Sequence, residues 1–130
     1  MAKADILLVE DDSDVRLILE HILLTELYRV TTADCVAEAR SMLARQSYDL
    51  VICDVHLPDG SGLRIADEAK AAGLAVLVVT AHGLTLKPGD LAQYDYLLKP
   101  VRVSELVVAM ESALAKRQGE SKVVRFPAEP

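Results

Sequence analysis

Nowhere in the 130 residues is there an apolar run approaching the roughly 18 to 20 residues that a membrane-crossing helix needs. The opening stretch, MAKADILLVE, also lacks a basic region followed by a long apolar segment and a small-residue cleavage site, so neither membrane insertion nor export is expected. A surplus of basic residues is missing too. Lys and Arg number 14 against 20 Asp and Glu, for a formal charge of −6, which argues against nucleic acid or an anionic membrane as partner, since both are bound mainly through Lys and Arg. Cysteine is scarce. Cys35 and Cys53 have no metal-ligand spacing, and Cys53 lies in the apolar run LVICD as a small buried hydrophobe would, so no disulfide and a reducing cytoplasm are expected. What remains, 52% apolar and 26% charged residues, suffices to fill the core of a single domain without staples or metals.

Four short segments are apolar at consecutive positions: ILLV (6–9), LVIC (50–53), AVLVV (75–79) and YLL (96–98). Strands buried on both faces read this way. A fifth candidate, YRVTT (28–32), alternates and is rich in β-branched residues, as an edge strand would be. Between them lie helical stripes. Val15, Ile18, Leu19, Ile22 and Leu23 fall at i, i+3, i+4, i+7 and i+8, and Val103, Leu106, Val107, Met110 and Leu114 repeat the pattern near the end. The segments 36–43 and 63–71 are shorter, Ala-rich helices. Regular alternation of strand and helix predicts an α/β domain, a doubly wound five-stranded parallel sheet covered on both faces. In such sheets ligands bind beyond the carboxyl ends of the strands.

The residues that follow the strands carry the chemistry. Glu10, Asp11 and Asp12 follow the first, Asp54 the third, Thr80 the fourth and Lys99 the last. Like charges about 4 Å apart repel by about 4 kcal/mol at an effective dielectric near 20, so such carboxylates need a cation to stay ionised. Oxygen ligands with room for water and phosphate suit Mg²⁺. A metal beside Asp54, a hydroxyl donor and an ammonium are the parts needed to move a phosphoryl group onto a carboxylate.

These residues resemble the receiver domains of two-component response regulators over residues 4–117, through LLVEDD, DVHLPDGSG, VVTAH and YLLKP in that order and spacing. The resemblance implies a flavodoxin-like, CheY-like sheet of order 2-1-3-4-5. It implies Asp54 as phosphoacceptor and a Mg²⁺ site made by Asp11 directly, Glu10 through water, Asp54 and the backbone carbonyl of His56. Thr80 and Lys99 would bind phosphoryl oxygens, Tyr96 would turn inward as Thr80 is drawn to the phosphate, and Lys99-Pro100 would be a cis peptide. A histidine kinase or histidine phosphotransfer protein would donate the phosphate, and a downstream protein would read the switch. By the same resemblance His56 and His82 would flank the route of water to the acyl phosphate, where imidazole could tune its lifetime near neutral pH.

Each site residue also has a plainer reading. Asp12 or Ser13 caps the first helix by default. Thr80 is a common strand-end residue, Tyr96 a common core aromatic, and His56, His82 and His21 are ordinary surface residues. DGSG (59–62) is a turn with glycines for positive φ. The fourth-helix segment departs from the family: between Thr80 and Lys99 the chain is short and carries Pro88-Gly89, so a short, displaced or absent helix is expected there. Residues 118–130 read as a tail without an output domain, making this a stand-alone receiver, monomeric or weakly dimeric, that is not an enzyme beyond intrinsic autodephosphorylation. Two alternatives stay open: a pseudo-receiver acting only through protein contacts, and a haloacid-dehalogenase-like phosphatase. The latter wants a second Asp where His56 stands. A flavin-binding module of the same topology would need a phosphate-cradling loop in place of EDDSD.

Overall fold

The computed structural model describes residues 3–81, 89 and 93–125. In chain order the elements are β1 (Asp5–Val9), α1 (Ser13–Thr25), β2 (Arg29–Ala33), α2 (Val36–Arg45), β3 (Leu50–Cys53), β4 (His56–Leu57), β5 (Gly60–Ser61), α3 (Leu63–Ala71), β6 (Ala75–Thr80), β7 (Asp95–Leu98) and α4 (Val103–Arg125). Five strands form one parallel sheet in the order β2-β1-β3-β6-β7, the order that the resemblance to receiver domains implies. Crossover helices lie on both faces, and side chains alternate between two cores because successive residues of a strand point to opposite sides. Leu7, Val9, Val51 and Cys53 pack with Val36, Ala39, Ile65 and Ala69 of α2 and α3. Ile6, Leu8, Leu50 and Ile52 pack with Leu19 and Leu23 of α1 and with Leu106, Met110 and Ala113 of α4. This two-sided burial explains why β1, β3 and β6 read as unbroken apolar runs.

Some expectations change. YLL was expected to be buried on both faces, yet Tyr96 and Leu98 are exposed while Leu97 packs against the α1/α4 core. The reason is position: among the described residues β7 ends the sheet, paired only with β6. Ile18 and Val103 belong to the helical stripes but are exposed. Ile18 instead lines a groove of about 430 Å³ with Val15, Ile22, Pro100 and Val101. The helix expected to end before a tail runs on through Arg125. The irregular fourth-helix segment falls largely on residues outside those described.

Beside the sheet, β4 and β5 make a small antiparallel hairpin, pairing His56 with Ser61 and Leu57 with Gly60. Strands of two residues are too short to leave a period in the sequence, so nothing announced it.

Candidate functional site

The loops at the carboxyl end of the sheet bring the strand-end residues together. Glu10 extends the β1 ladder, its N–H donating to the Ala33 carbonyl at 2.9 Å. The chain then turns: Asp12 accepts from the N–H groups of Asp14 and Val15 at 2.9 and 3.0 Å and caps α1, the plainer of its two readings. Asp11 lies between Glu10 and Asp12 in the chain and is exposed. Arg16, one turn into α1, reaches back so that Nη1 donates to the Glu10 carbonyl at 2.8 Å. On the neighbouring strand Asp54 donates its N–H to the Val9 carbonyl at 3.1 Å, which sets it level with Glu10.

Glu10 is 2% exposed and Asp54 5% exposed, so both carboxylates are largely removed from water. Lys99 answers them. Its backbone N–H is bonded to the Thr80 carbonyl at 3.0 Å, its bond to Pro100 is cis, and Nζ donates to Glu10 Oε1 at 2.6 Å and Asp54 Oδ2 at 2.9 Å. The other Asp54 oxygen, Oδ1, accepts from the His56 N–H at 3.3 Å. Thr80, fully buried, ends β6 opposite Leu98.

One ammonium between two buried carboxylates leaves the cluster negative. Burial pushes the Glu10 carboxyl above its ordinary value, opposed by the hydrogen bond from Lys99. Burial would lower Lys99, but its hydrogen bonds to Glu10 and Asp54 outweigh this and hold the ammonium above its ordinary range. Beneath the site, burial and then the Asp54 charge push the Cys53 thiol up to about 12, so it stays a protonated core residue, with Sγ donating to the Gly62 carbonyl at 3.7 Å. Adding Asp11, one carboxylate oxygen from each of Glu10, Asp11 and Asp54 lies within 4.8 Å of the others. An all-oxygen set, negative after Lys99 is counted and open on the Asp11 side, fits a hard divalent cation such as Mg²⁺.

His56 is exposed, on β4, and its backbone N–H is bonded to Asp54 Oδ1. Tyr96 is 48% exposed, three residues before Lys99. His82 lies outside the described residues, and His21 is on the exposed side of α1.

The turn DGSG proves to be more than a turn. Gly60 has φ of 149°, as expected, but Gly62 is at φ −64°, a conformation open to any residue. Its need is space: a Cβ there would stand 1.7 Å from the Asp54 carbonyl oxygen. Gly62 N–H also donates to the Val55 carbonyl at 2.6 Å, closing the loop on itself. Asp59, at the tip, accepts from Val36 N–H at 2.7 Å and Ala37 N–H at 2.9 Å, in the first turn of α2. Neither contact has a local signature, since the partners come from folding rather than from neighbouring sequence.

The profile of the response regulator receiver domain matches residues 6–111. The chain belongs to that family. It is 34% identical over 128 residues to the two-component response regulator ARR2 of Arabidopsis thaliana, covering 94% of this chain and 19% of that protein. It is likewise 34% identical to the response regulator protein PilR of Pseudomonas aeruginosa, covering 94% of this chain and 28% of PilR. The chain thus spans less than a third of the length of either relative. Among solved structures, the response regulator TrrA of Thermotoga maritima, in complex with Mg²⁺-BeF, superposes with a TM-score of 0.76 at 28% identity, covering 87% of this chain and 99% of that one. Receiver domains are phosphoacceptors that bind Mg²⁺ at an acidic site and interact with histidine kinases or phosphotransfer proteins and with effectors; they are not enzymes in the usual sense. Among the described residues no helix is long and apolar enough to cross a membrane.

Proposed function

We propose that this receiver accepts a phosphoryl group on Asp54 from the phosphohistidine of a kinase or phosphotransfer protein and uses the modification to change its affinity for a partner. The observation that carries the reading is the Asp54 carboxylate itself, buried at a strand end, bonded to Lys99 and flanked by Glu10 and Asp11. Asp11, Asp54 and the His56 carbonyl would hold Mg²⁺, with Glu10 acting through water. When bound, the ion neutralises phosphoryl oxygens as charge shifts in the transfer.

A carboxylate oxygen of Asp54 attacks phosphorus, the P–N bond of the phosphohistidine breaks, and the imidazole leaves with the electron pair. Lys99 starts the reaction bonded to Asp54 and is placed to follow the charge onto the phosphoryl group. Thr80, fully buried beside it, donates its hydroxyl to another phosphoryl oxygen. The new group carries about two negative charges, so its contacts with Lys99 and Thr80 are charge-assisted. Movement of Thr80 would open room on the strand pair where Val78 stands opposite Tyr96, and the half-exposed Tyr96 would turn inward. The exposed His56 side chain, two residues beyond the acceptor, would tune hydrolysis of the acyl phosphate by water. With the acids and the Lys all present, a pseudo-receiver reading has no lost group to rest on.

Intact mass after incubation with acetyl phosphate tests this. One phosphoryl group should add to the wild type only with Mg²⁺, and Asp54→Asn should abolish the addition. A folded wild type that gains no mass would leave a module working by protein contact alone.

A further inference from the structure

We propose that Asp59 is a positioning residue for the metal and phosphoryl site, fixing from α2 the loop that carries His56. The inference rests on the reading above in one respect, the use of the His56 carbonyl as a metal ligand.

The loop from Asp54 to Gly62 is held at two places. At its base Gly62 lies against the Asp54 carbonyl, where no Cβ fits, and bonds to Val55. At its tip Asp59 spends both carboxylate oxygens on the first turn of α2, accepting from Val36 and Ala37. These N–H groups are among those a helix start leaves unsatisfied, and the helix dipole favours a carboxylate there. The helix has a cap of its own: Cys35 Sγ accepts from Glu38 N–H at 3.4 Å, and Glu38 Oε1 accepts from Asp34 N–H at 2.8 Å. Asp59 therefore contributes something that local capping does not, a tie between two loops separated by 23 residues. His56 lies between base and tip, its N–H on Asp54 and its backbone in the β4–β5 hairpin. With the tip free, the hairpin could pivot about the base. A backbone carbonyl offered to a metal needs that pivot stopped, because groups outside the ligand shell set ligand orientation and hence affinity.

The test compares wild type, Asp59→Ala, Asp59→Asn and Glu38→Ala. Glu38→Ala serves as a control that weakens the same helix end without touching the loop. Mg²⁺ affinity is read by titration calorimetry, and the His56 amide resonance is read in metal-free protein. Asp59→Ala should bind Mg²⁺ about 10-fold more weakly and shift the His56 amide even without metal. Asp59→Asn, which keeps one acceptor oxygen, should recover part of both, and Glu38→Ala should bind Mg²⁺ as wild type does. Wild-type affinity in a folded Asp59→Ala, or an equal loss in Glu38→Ala, would overturn the proposal and leave Asp59 as a helix cap. Failure of the phosphoacceptor reading is a separate result, seen as a wild type that binds Mg²⁺ yet gains no mass.

Discussion

Acids stand at both ends of this sheet, and the two ends treat them differently. At the amino end, Asp5 opens β1 and Asp49 precedes β3. Asp5 meets Arg29 through both carboxylate oxygens at 2.5 and 3.0 Å, and Asp49 Oδ2 accepts the Asp5 N–H at 2.8 Å. The Arg29 side chain is 72% exposed, so water already screens the pair and it stabilises the fold little. At the carboxyl end the Lys99 side chain is only 16% exposed and must serve Glu10 and Asp54 together, with Asp11 close by. The difference teaches that acids at strand ends mark a site when they outnumber their buried cations. Where the cation is a wet arginine, as it is for Asp5, they mark only the edge of the fold.

The largest effect expected at the carboxyl end comes from geometry. Gly62→Ala drives a Cβ into the Asp54 carbonyl and should destabilise the domain by about 3 to 5 kcal/mol in urea unfolding, since backbone meets backbone and no rotamer relieves it. Next is the comparison itself. Lys99→Met leaves two buried carboxylates without their cation and should lower metal-free stability by about 3 kcal/mol, whereas Arg29→Met should give a much smaller change. Equal losses at both ends would break the contrast.

Glu10→Gln sharpens it by sign. A carboxyl raised in the folded state is penalised for ionising, so stability falls as pH rises from the ordinary 4.5 through the folded value. Metal-free Glu10→Gln should therefore melt above wild type at pH 7, and the gap should close below about pH 4.5, where both states of the wild type are protonated. A gap that persists in acid would mean the gain comes from packing. The smallest effect lies near the amino end, where exposed Leu27 holds φ of 71° after α1. Leu27→Gly should add about 1 kcal/mol and leave phosphorylation unchanged, separating strain in the scaffold from the chemistry of the site.

Much of this was legible beforehand. ILLV, LVIC and AVLVV announced buried parallel strands because burial on both faces leaves no polar position in the run. Glu10, Asp11, Asp54, Thr80 and Lys99 could be gathered on paper because a parallel sheet sends every strand's carboxyl end the same way. The exposure of Tyr96 and Leu98 could not be read, since YLL has none of the alternation that marked YRVTT as an edge strand. The space reserved over Asp54 for Gly62 was equally hidden, because a glycine chosen for close approach looks like one chosen for a turn.

The order and period of the amino acids by themselves determined the alternation of strand and helix, the end of the sheet where charge collects and the residue types found there, because these follow from local patterns of burial. Tertiary structure alone decided that Lys99 bridges Glu10 and Asp54, that Arg16 holds the Glu10 carbonyl and that Asp59 ties its loop to α2. Those bonds join residues far apart in the chain or reach back across a turn, and their distances exist only once the sheet and its loops are in place.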